Sequence, residues 1–181
     1  RLLRHHESDA AQRLLVDLAQ DAESCVAALA LERLLELDPE KILPMTEALR
    51  SRGDSKVRRA VAEALIACPS VPSMTQLGLF LRDPHPEIRR RVRDVLIDLA
   101  QSGEFVEEIL RQGRAALADG DWRGQEQAIH VLARLKQASQ VERFLELLGH
   151  ERPEVYVTAA WGLRELAEPD ALAPSLQFAR D

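Results

Sequence analysis

The sequence predicts an all-α protein, folded as a right-handed α-solenoid (an α-α superhelix) of about five two-helix repeats. The prediction rests on a helix-forming composition, a twelve-residue segment that recurs five times, and an apolar run before each copy. Apolar residues make up 46% of the 181-residue chain, charged residues 30% and aromatic residues only 4%. Leu, Ala, Arg and Glu dominate, and these are strong helix formers. Thr, Tyr and Ile are scarce, which disfavours β-structure.

The five twelve-residue segments align without gaps and share one apolar face. They begin at Val26, Val57, Ile88, Gly124 and Val155, at intervals of 31, 31, 36 and 31 residues. With the first residue of each segment counted as place zero, the eighth place is always leucine: Leu34, Leu65, Leu96, Leu132 and Leu163. The fourth place holds a small or branched apolar residue: Ala30, Val61, Val92, Ala128 and Ala159. A step of four residues keeps these places on one side of a helix, so each segment predicts a helix with one buried face.

A second apolar run precedes each segment and predicts a partner helix. Eight residues before each start lie Leu18, Leu49, Phe80, Ala116 and Leu147. A single helical hairpin cannot bury its apolar stripe alone, but stacked hairpins can. We therefore expect a single repeat domain over residues 1–181. Its repeats fall at roughly 9–38, 39–69, 70–101, 102–137 and 138–168, with a partial repeat at 169–181 and the tail of a preceding repeat at 1–8. Such ends predict that the chain is a segment of a longer solenoid.

Proline and aspartate mark the turns that precede the five helices. Pro86 and Pro153 each lie two residues before a segment, in the first helical turn, where the missing N–H costs nothing. Asp54 and Asp121 each lie three residues before a segment, where a carboxylate can cap the helix. The stretch "RDPHPEIRRRVRDVL", residues 82–96, is therefore a joint between helices rather than a nucleic-acid-binding arm.

The turns resemble those of the HEAT family, in particular the short HEAT-like repeats also found in phycobilisome lyases. The resemblance is carried by "DPHPEIRRRVRDVL" and by the weaker copies "GDSKVRRAVAEAL" and "ERPEVYVTAAWGL". It implies a non-catalytic protein-binding scaffold whose second helices line a concave face. Residues 100–124 depart from the pattern: this unit is five residues longer and predicts a longer first helix or a protruding loop.

A basic cluster in two adjacent repeats is the strongest surface feature of the sequence. Arg58, Arg59, Arg89 and Arg90 are its central members, and stacked repeats would place Arg58 beside Arg89 and Arg59 beside Arg90. As a binding surface, the cluster would take an acidic or phosphorylated segment of a partner protein, helped by the positive ends of helices.

The same arginines also have a structural interpretation. In HEAT-like repeats the arginine after the first apolar residue bonds acids of the turn, such as Asp83 here. Arg59 with Glu63, and Arg90 with Asp94, stand one helical turn apart and can form ion pairs.

The predicted concave face carries one column that is polar except at its end. Six places into the five segments stand Glu32, Glu63, Asp94, His130 and Trp161. An exposed tryptophan in such a column is typical of an interface anchor. The alternative is that the next repeat covers Trp161. We take His130, Tyr156 and Trp161 as further candidates for partner binding.

Net charge and apolar runs exclude several classes of partner. The formal net charge of −6 disfavours nucleic acid as the main partner, because a phosphate backbone needs a basic surface. No apolar run reaches the length of a membrane span, so we expect no membrane partner. Cys25 and Cys68 occupy apolar-rich helical sites, which suggests small buried side chains and a cytoplasmic protein.

No motif of an enzyme or of a cofactor site is present, so we expect no turnover, no cofactor and no catalytic metal. HEAT-like deoxyhypusine hydroxylases bind iron through four His-Glu pairs within helices. This chain has only His6-Glu7 and His150-Glu151, one near its end and one in a predicted turn. The alternative function is a HEAT-like enzyme, either a chromophore lyase or a DNA base-excision enzyme.

Overall fold

The structure, a computed structural model, describes residues 9–166, and every regular element in that range is helical. The described residues form ten α-helices and two short 3-10 segments. The chain divides into two compact units, one ending at Ser73 and one beginning at Met74. The tail predicted at residues 1–8 and the partial repeat predicted at 169–181 lie outside the described residues.

The first unit contains two successive helical hairpins. In the first hairpin α1 (Asp9–Ala19) packs against α2 (Ser24–Leu37). In the second hairpin α4 (Ser55–Ala67) is the second helix, and it stacks on α2. Leu31 and Val61 are fully buried between these elements because stacking removes one face of each second helix from water.

The first helix of the second hairpin is broken into two pieces. A 3-10 segment, Pro39–Met45, leads into the short helix α3 (Thr46–Arg50), and both pack against α4. Pro44 lies inside the 3-10 segment and has no N–H to donate to the preceding turn. A regular α-helix is therefore interrupted at this point.

The second unit repeats the hairpin pattern. Its helices are α5 (Val71–Phe80, which begins in the last residues of the first unit), α6 (Pro86–Gln101), α7 (Val106–Ala118), α8 (Trp122–Arg134), α9 (Val141–Leu147) and α10 (Pro153–Leu166). Helix α7 pairs with α8, and α9 pairs with α10. The second helices α6, α8 and α10 stack in that order around a core that includes Leu132, Phe144 and Leu163. The predicted fold class, an all-α solenoid of two-helix repeats, is confirmed.

The predicted helical face is buried in all five repeats. Each second helix begins two residues before the start of its twelve-residue segment. The fourth-place residues and the eighth-place leucines are at most 4% exposed. The repeat spacing therefore located both the helices and their buried sides.

The predicted helix starts are also confirmed. Pro86 and Pro153 are the first residues of α6 and α10. A carboxylate oxygen of Asp54 accepts a hydrogen bond from the N–H two residues further on at 2.7 Å, and that of Asp121 does the same at 2.9 Å. These bonds satisfy main-chain donors that have no partner within the helix.

The irregular unit at residues 100–124 has the longer first helix that the sequence predicts. Helix α7 has 13 residues, against 11 in α1 and 10 in α5. The turn before it contains Gly103 at a φ of 89°, a backbone conformation that glycine adopts without strain. The extra residues therefore lengthen a helix and its entry turn rather than form a long loop.

A charged cluster holds α7 against α5. The carboxylate of Glu108 accepts bonds from Arg111 at 2.7 and 2.8 Å, from the Thr75 hydroxyl at 2.6 Å and from the Gln112 amide at 2.9 Å. The hydrogen bonds from Arg111, followed by those from Thr75 and Gln112, lower the pKa of Glu108 to about 2, and burial opposes them. This carboxylate is therefore an ionised structural group.

The interpretation of both cysteines as buried is wrong for Cys25. Its side chain is exposed on α2, and Cys68 is only partly buried. Leu29, one helical turn from Cys25, is 67% exposed, so this face of α2 is open. Both cysteines are free thiols. Within residues 9–166, none of the helices combines the length and apolar character that crossing a bilayer requires.

Candidate functional site

A groove of about 570 Å³ lies on the second helices of the second unit, and we call it the α6–α8–α10 groove. Three members of the predicted polar column line it: Asp94 from α6, His130 from α8 and Trp161 from α10. They come together because each occupies the sixth place of its repeat and the three helices stack in register. The groove also has arginine side chains, Arg93 and Arg134.

His130 and Trp161 form a ring pair in the wall of this groove. Their ring centroids lie 4.5 Å apart, and the planes are tilted by 50°. Burial, followed by the positive charge of Arg93, lowers the pKa of His130 to about 4. The imidazole is therefore neutral at neutral pH and packs against the indole as a neutral aromatic ring.

Close helix packing holds this ring pair together. Gly162 faces Ile129 across the two helices. Gly162 follows Trp161 in the sequence, and Ile129 precedes His130. A Cβ atom on Gly162 would lie 2.8 Å from the Ile129 side chain and 3.0 Å from the Phe144 ring. Helix α10 can therefore approach α8 this closely only with glycine at position 162.

Within residues 9–166, the groove contains one ion pair and two further charged side chains. Arg93 binds the Asp94 carboxylate at 2.7 Å and the Gln127 side-chain oxygen at 3.2 Å. Asp98 on α6 and Arg134 on α8 are exposed along the groove. The arrangement offers an aromatic wall between fixed charges of both signs.

Two of the predicted partner-binding arginines lie inside turns. Arg58 and Arg89 are each only 7% exposed. Arg58 Nη1 donates to the carbonyl oxygens of Arg52 and Gly53 at 3.0 and 2.7 Å. Arg89 Nη1 donates in the same way to the carbonyls of Asp83 and Pro84, at 2.8 and 3.2 Å. Each arginine thus closes the turn that precedes its own helix.

The other candidates have different surroundings. Arg59 and Arg90 are exposed on α4 and α6, respectively. Asp94, which the sequence offered as a partner for Arg90, binds Arg93 instead. Tyr156 is half-buried on α10 and does not line the α6–α8–α10 groove. The proximity of Arg58 to Arg89 stays a prediction.

The structure also assembles a cluster that the sequence did not single out. Three guanidinium groups lie over or beside the Trp122 ring: Arg123 at 4.9 Å, Arg152 at 5.6 Å and Arg89 at 5.9 Å from its centroid. We call these four residues the tryptophan edge. They lie at or just before the first turns of α6, α8 and α10. Trp122 directly follows the capping Asp121 of α8, and Arg152 directly precedes α10, at the position that a capping aspartate holds in other repeats. These two positions were the signal that the sequence offered for the cluster.

Possible metal ligands do not converge in the described part of the chain. Across residues 9–166, no three side chains of His, Cys, Asp or Glu are grouped as a metal ion would need. His150 stands in the turn before α10, as predicted, and its Nδ1 accepts the N–H of Arg152 at 3.0 Å. His6 and Glu7 lie outside the described residues.

Comparison with known proteins finds a family match in the C-terminal part of the chain. A family described as HEAT repeats matches residues 110–181. The predicted HEAT resemblance is confirmed there. This segment includes α8 and α10, which are two of the three helices of the groove. It also includes α9, the hairpin partner of α10. The narrower resemblance to phycobilisome lyases stays a prediction. None of the curated proteins matches the chain significantly.

Several solved structures match the chain at low identity. An engineered protein is 20% identical over 95% of this chain and 87% of its own, with a TM-score of 0.49. A designed armadillo repeat protein is 16% identical over 91% and 87%, with a TM-score of 0.47. Human deoxyhypusine hydroxylase in complex with glycerol is 23% identical over 97% and 69%, with a TM-score of 0.42.

Proposed function

We propose that the chain is a non-catalytic scaffold that binds a protein partner, or another segment of its parent chain, through the α6–α8–α10 groove. The observation that carries this proposal is the placement of Trp161, a half-buried ring in the wall of an open polar groove. Tryptophan is enriched among residues that dominate binding energy at protein interfaces. The HEAT match adds support, because repeats of this kind commonly mediate protein interaction.

The groove is suited to a partner segment with an apolar side chain between charged neighbours. Trp161 is held by His130, so little conformational freedom is left to lose on binding. Val157, one helical turn before Trp161, is 58% exposed and extends the apolar contact area. Arg134 and Asp98 then offer one positive and one negative contact that fix the register of the segment.

The exposed arginines of the basic cluster have a secondary part in this proposal. Arg59 and Arg90 point to solvent and would steer acidic or phosphorylated groups of the partner by long-range attraction. Arg58 and Arg89, by contrast, act through the turns that they close. We further propose that the scaffold works without a cofactor and in the cytoplasm, where free thiols stay reduced.

Capture of partners with a groove variant tests the proposal. The wild-type chain, the Trp161→Ala variant and the Arg114→Glu variant are each used as bait, and retained proteins are identified by mass spectrometry. Arg114 is exposed on α7 and does not line the groove, so its variant controls for surface charge. We expect a partner that the wild type and Arg114→Glu retain and Trp161→Ala loses. Equal retention by all three baits would contradict partner binding through the groove.

A second candidate function has one observation in its favour. The groove brings His130, Asp94 and Arg134 into one cavity, and converging polar groups are typical of an active site. A HEAT-like base-excision enzyme would release a base from DNA, and a chromophore lyase would attach a chromophore to a protein. Release of base by the wild type that is lost in Asp94→Asn would favour the enzyme over the scaffold. We expect no release.

A further inference from the structure

The tryptophan edge concentrates positive charge on a chain whose net charge is negative. Guanidinium groups of Arg89, Arg123 and Arg152 all lie within 6 Å of the Trp122 ring centroid. Arg152 is exposed, and no carboxylate within residues 9–166 lies in ion-pair range of it. Arg123 has 38% of its side chain exposed, and among the described residues its carboxylate contact is a long one, 3.6 Å to Asp121.

Three acids of the turns before α6 and α8 are already engaged in other contacts. Asp121 accepts the main-chain N–H of Arg123 and so caps α8. Asp119 binds the side chain of Arg82 and accepts the N–H of Asp121 at 3.0 Å. Asp83 is buried and accepts the N–H of His85 at 2.7 Å. These three carboxylates are committed to the turns, so the guanidinium groups of Arg123 and Arg152 keep exposed surface beside the Trp122 ring.

We propose that the tryptophan edge binds a short acidic peptide segment of a partner protein. Carboxylates of the segment would meet the forks of Arg123 and Arg152, since a guanidinium group offers two parallel donors to a carboxylate. The aliphatic part of the segment would lie on the Trp122 ring, which is half-buried and already fixed by packing. Arg89 cannot move to meet a ligand, because two carbonyls hold it, and it adds fixed positive charge behind the ring.

Two exposed acids favour a short acidic peptide over a nucleic acid as the ligand of the tryptophan edge. Glu151 and Glu154 flank Arg152 along the chain and are exposed. A polyphosphate backbone passing over the edge would meet both of them, whereas a few carboxylates can be confined to the arginine forks. The edge is also separate from the groove: Trp122 and His130 are eight residues apart on α8, or about 12 Å along a helix. It is therefore a second surface, beyond the proposed function.

The tryptophans of this chain make the test direct. The chain has two, Trp122 and Trp161, so the Trp161→Phe variant emits from Trp122 alone. This variant is titrated with a blocked hexaglutamate peptide, and with hexalysine as the charge-reversed probe, while Trp122 emission is followed. We expect a saturable change with hexaglutamate that weakens as salt is added, and none with hexalysine.

Charge variants identify the arginines that bind. In the Trp161→Phe chain, Arg123→Gln with Arg152→Gln should weaken hexaglutamate binding at least about tenfold, since two charge-assisted contacts are lost. Replacing both with lysine keeps the charge but loses the planar forks, and should give an intermediate affinity. Arg114→Gln is the control for loss of an exposed charge outside the tryptophan edge; it removes one positive charge from α7 and should leave the affinity within about twofold. Melting curves establish that each variant is folded.

Three outcomes would overturn the proposal. They are no saturable change with hexaglutamate, equal weakening by Arg114→Gln, and tighter binding of a ten-nucleotide oligothymidylate than of hexaglutamate. Because Trp161 is already replaced in every chain used, a failure here is separate from a failure of the groove.

Discussion

Trp161 is the residue on which the proposed function depends, and its environment combines burial with exposure. The ring packs on His130 and lines the groove. The neutral imidazole matters for this arrangement, because a charged ring in the same place would face the positive charge of Arg93 without full hydration. The aromatic pair is therefore an acid-sensitive part of the site.

The lowered pKa of His130 predicts how acid affects stability. The unfolded chain binds a proton at His130 near the ordinary value of 6.5, whereas the folded chain does so only near 4. Protonation therefore favours unfolding, and stability falls as the pH drops through this window. We expect His130→Phe to lessen that fall by about 2–3 kcal/mol in urea-unfolding free energies measured from pH 7 to pH 4. In the Trp122→Phe chain, Trp161 emission should also titrate with a midpoint near 4. An identical pH dependence in wild type and variant would contradict the stated environment of His130.

Helix packing, at the scale of elements, sets the width of the groove. Gly162 permits the close approach of α10 to α8 and α9. We expect Gly162→Ala to cost about 1–3 kcal/mol of unfolding free energy, because the added methyl group overlaps Ile129 and Phe144. It should also shift Trp161 emission. Gly149→Ala is the matched control, since a Cβ there meets only a carbonyl oxygen at 3.6 Å. If both glycines tolerated alanine equally, close packing would not hold the ring pair.

The turn arginines give a second prediction for the elements. Arg58 and Arg89 each bind two carbonyls of the preceding turn from a nearly buried position. Arg58→Gln and Arg89→Gln should each lower the free energy of unfolding by about 1–3 kcal/mol, since carbonyl acceptors in partly buried turns lose charged donors. Their exposed neighbours provide the controls: Arg59→Gln and Arg90→Gln should change it by less than about 0.5 kcal/mol. Thermal or urea unfolding measures all four. Equal effects of the buried pair and the exposed pair would contradict a structural role for Arg58 and Arg89, which would then again be candidates for partner binding.

The second helices were predictable from the sequence, but the first helices and the tryptophan edge were only partly so. A leucine at the eighth place of each segment can be buried only if the segment is a helix facing a core, and all five leucines are buried. The first helices have no such shared residue, and Pro44 divides one of them. The sequence placed Trp161 and His130 in one column because both occupy the sixth place. The sequence did not predict the cluster at Trp122, because only the conformations of three turns bring its arginine partners to the ring. These partners are Arg89, Arg123 and Arg152. Cys25 was misjudged because periodicity alone does not show which outer faces stay open.

Over the whole molecule, a net charge of −6 coexists with exposed arginines that can attract acidic groups. The attraction predicted for Arg59 and Arg90 is long-range and therefore sensitive to salt. We expect Arg59→Glu with Arg90→Glu to weaken partner binding mainly through a slower association rate, and to flatten its dependence on ionic strength. Stopped-flow association rates at several salt concentrations provide the measurement. An unchanged rate and salt slope would leave these two arginines without a part in recognition.

The central claim is that a protein partner binds at Trp161 in the α6–α8–α10 groove, and an equilibrium titration tests it most directly. The partner retained in the capture experiment is purified and added to the Trp122→Phe chain, whose emission comes from Trp161 alone. The account predicts a saturable change in that emission and an affinity lowered at least about tenfold by Trp161→Ala, as expected for an interface anchor. Binding of the partner with no change in Trp161 emission, and with the same affinity for Trp161→Ala, would contradict it.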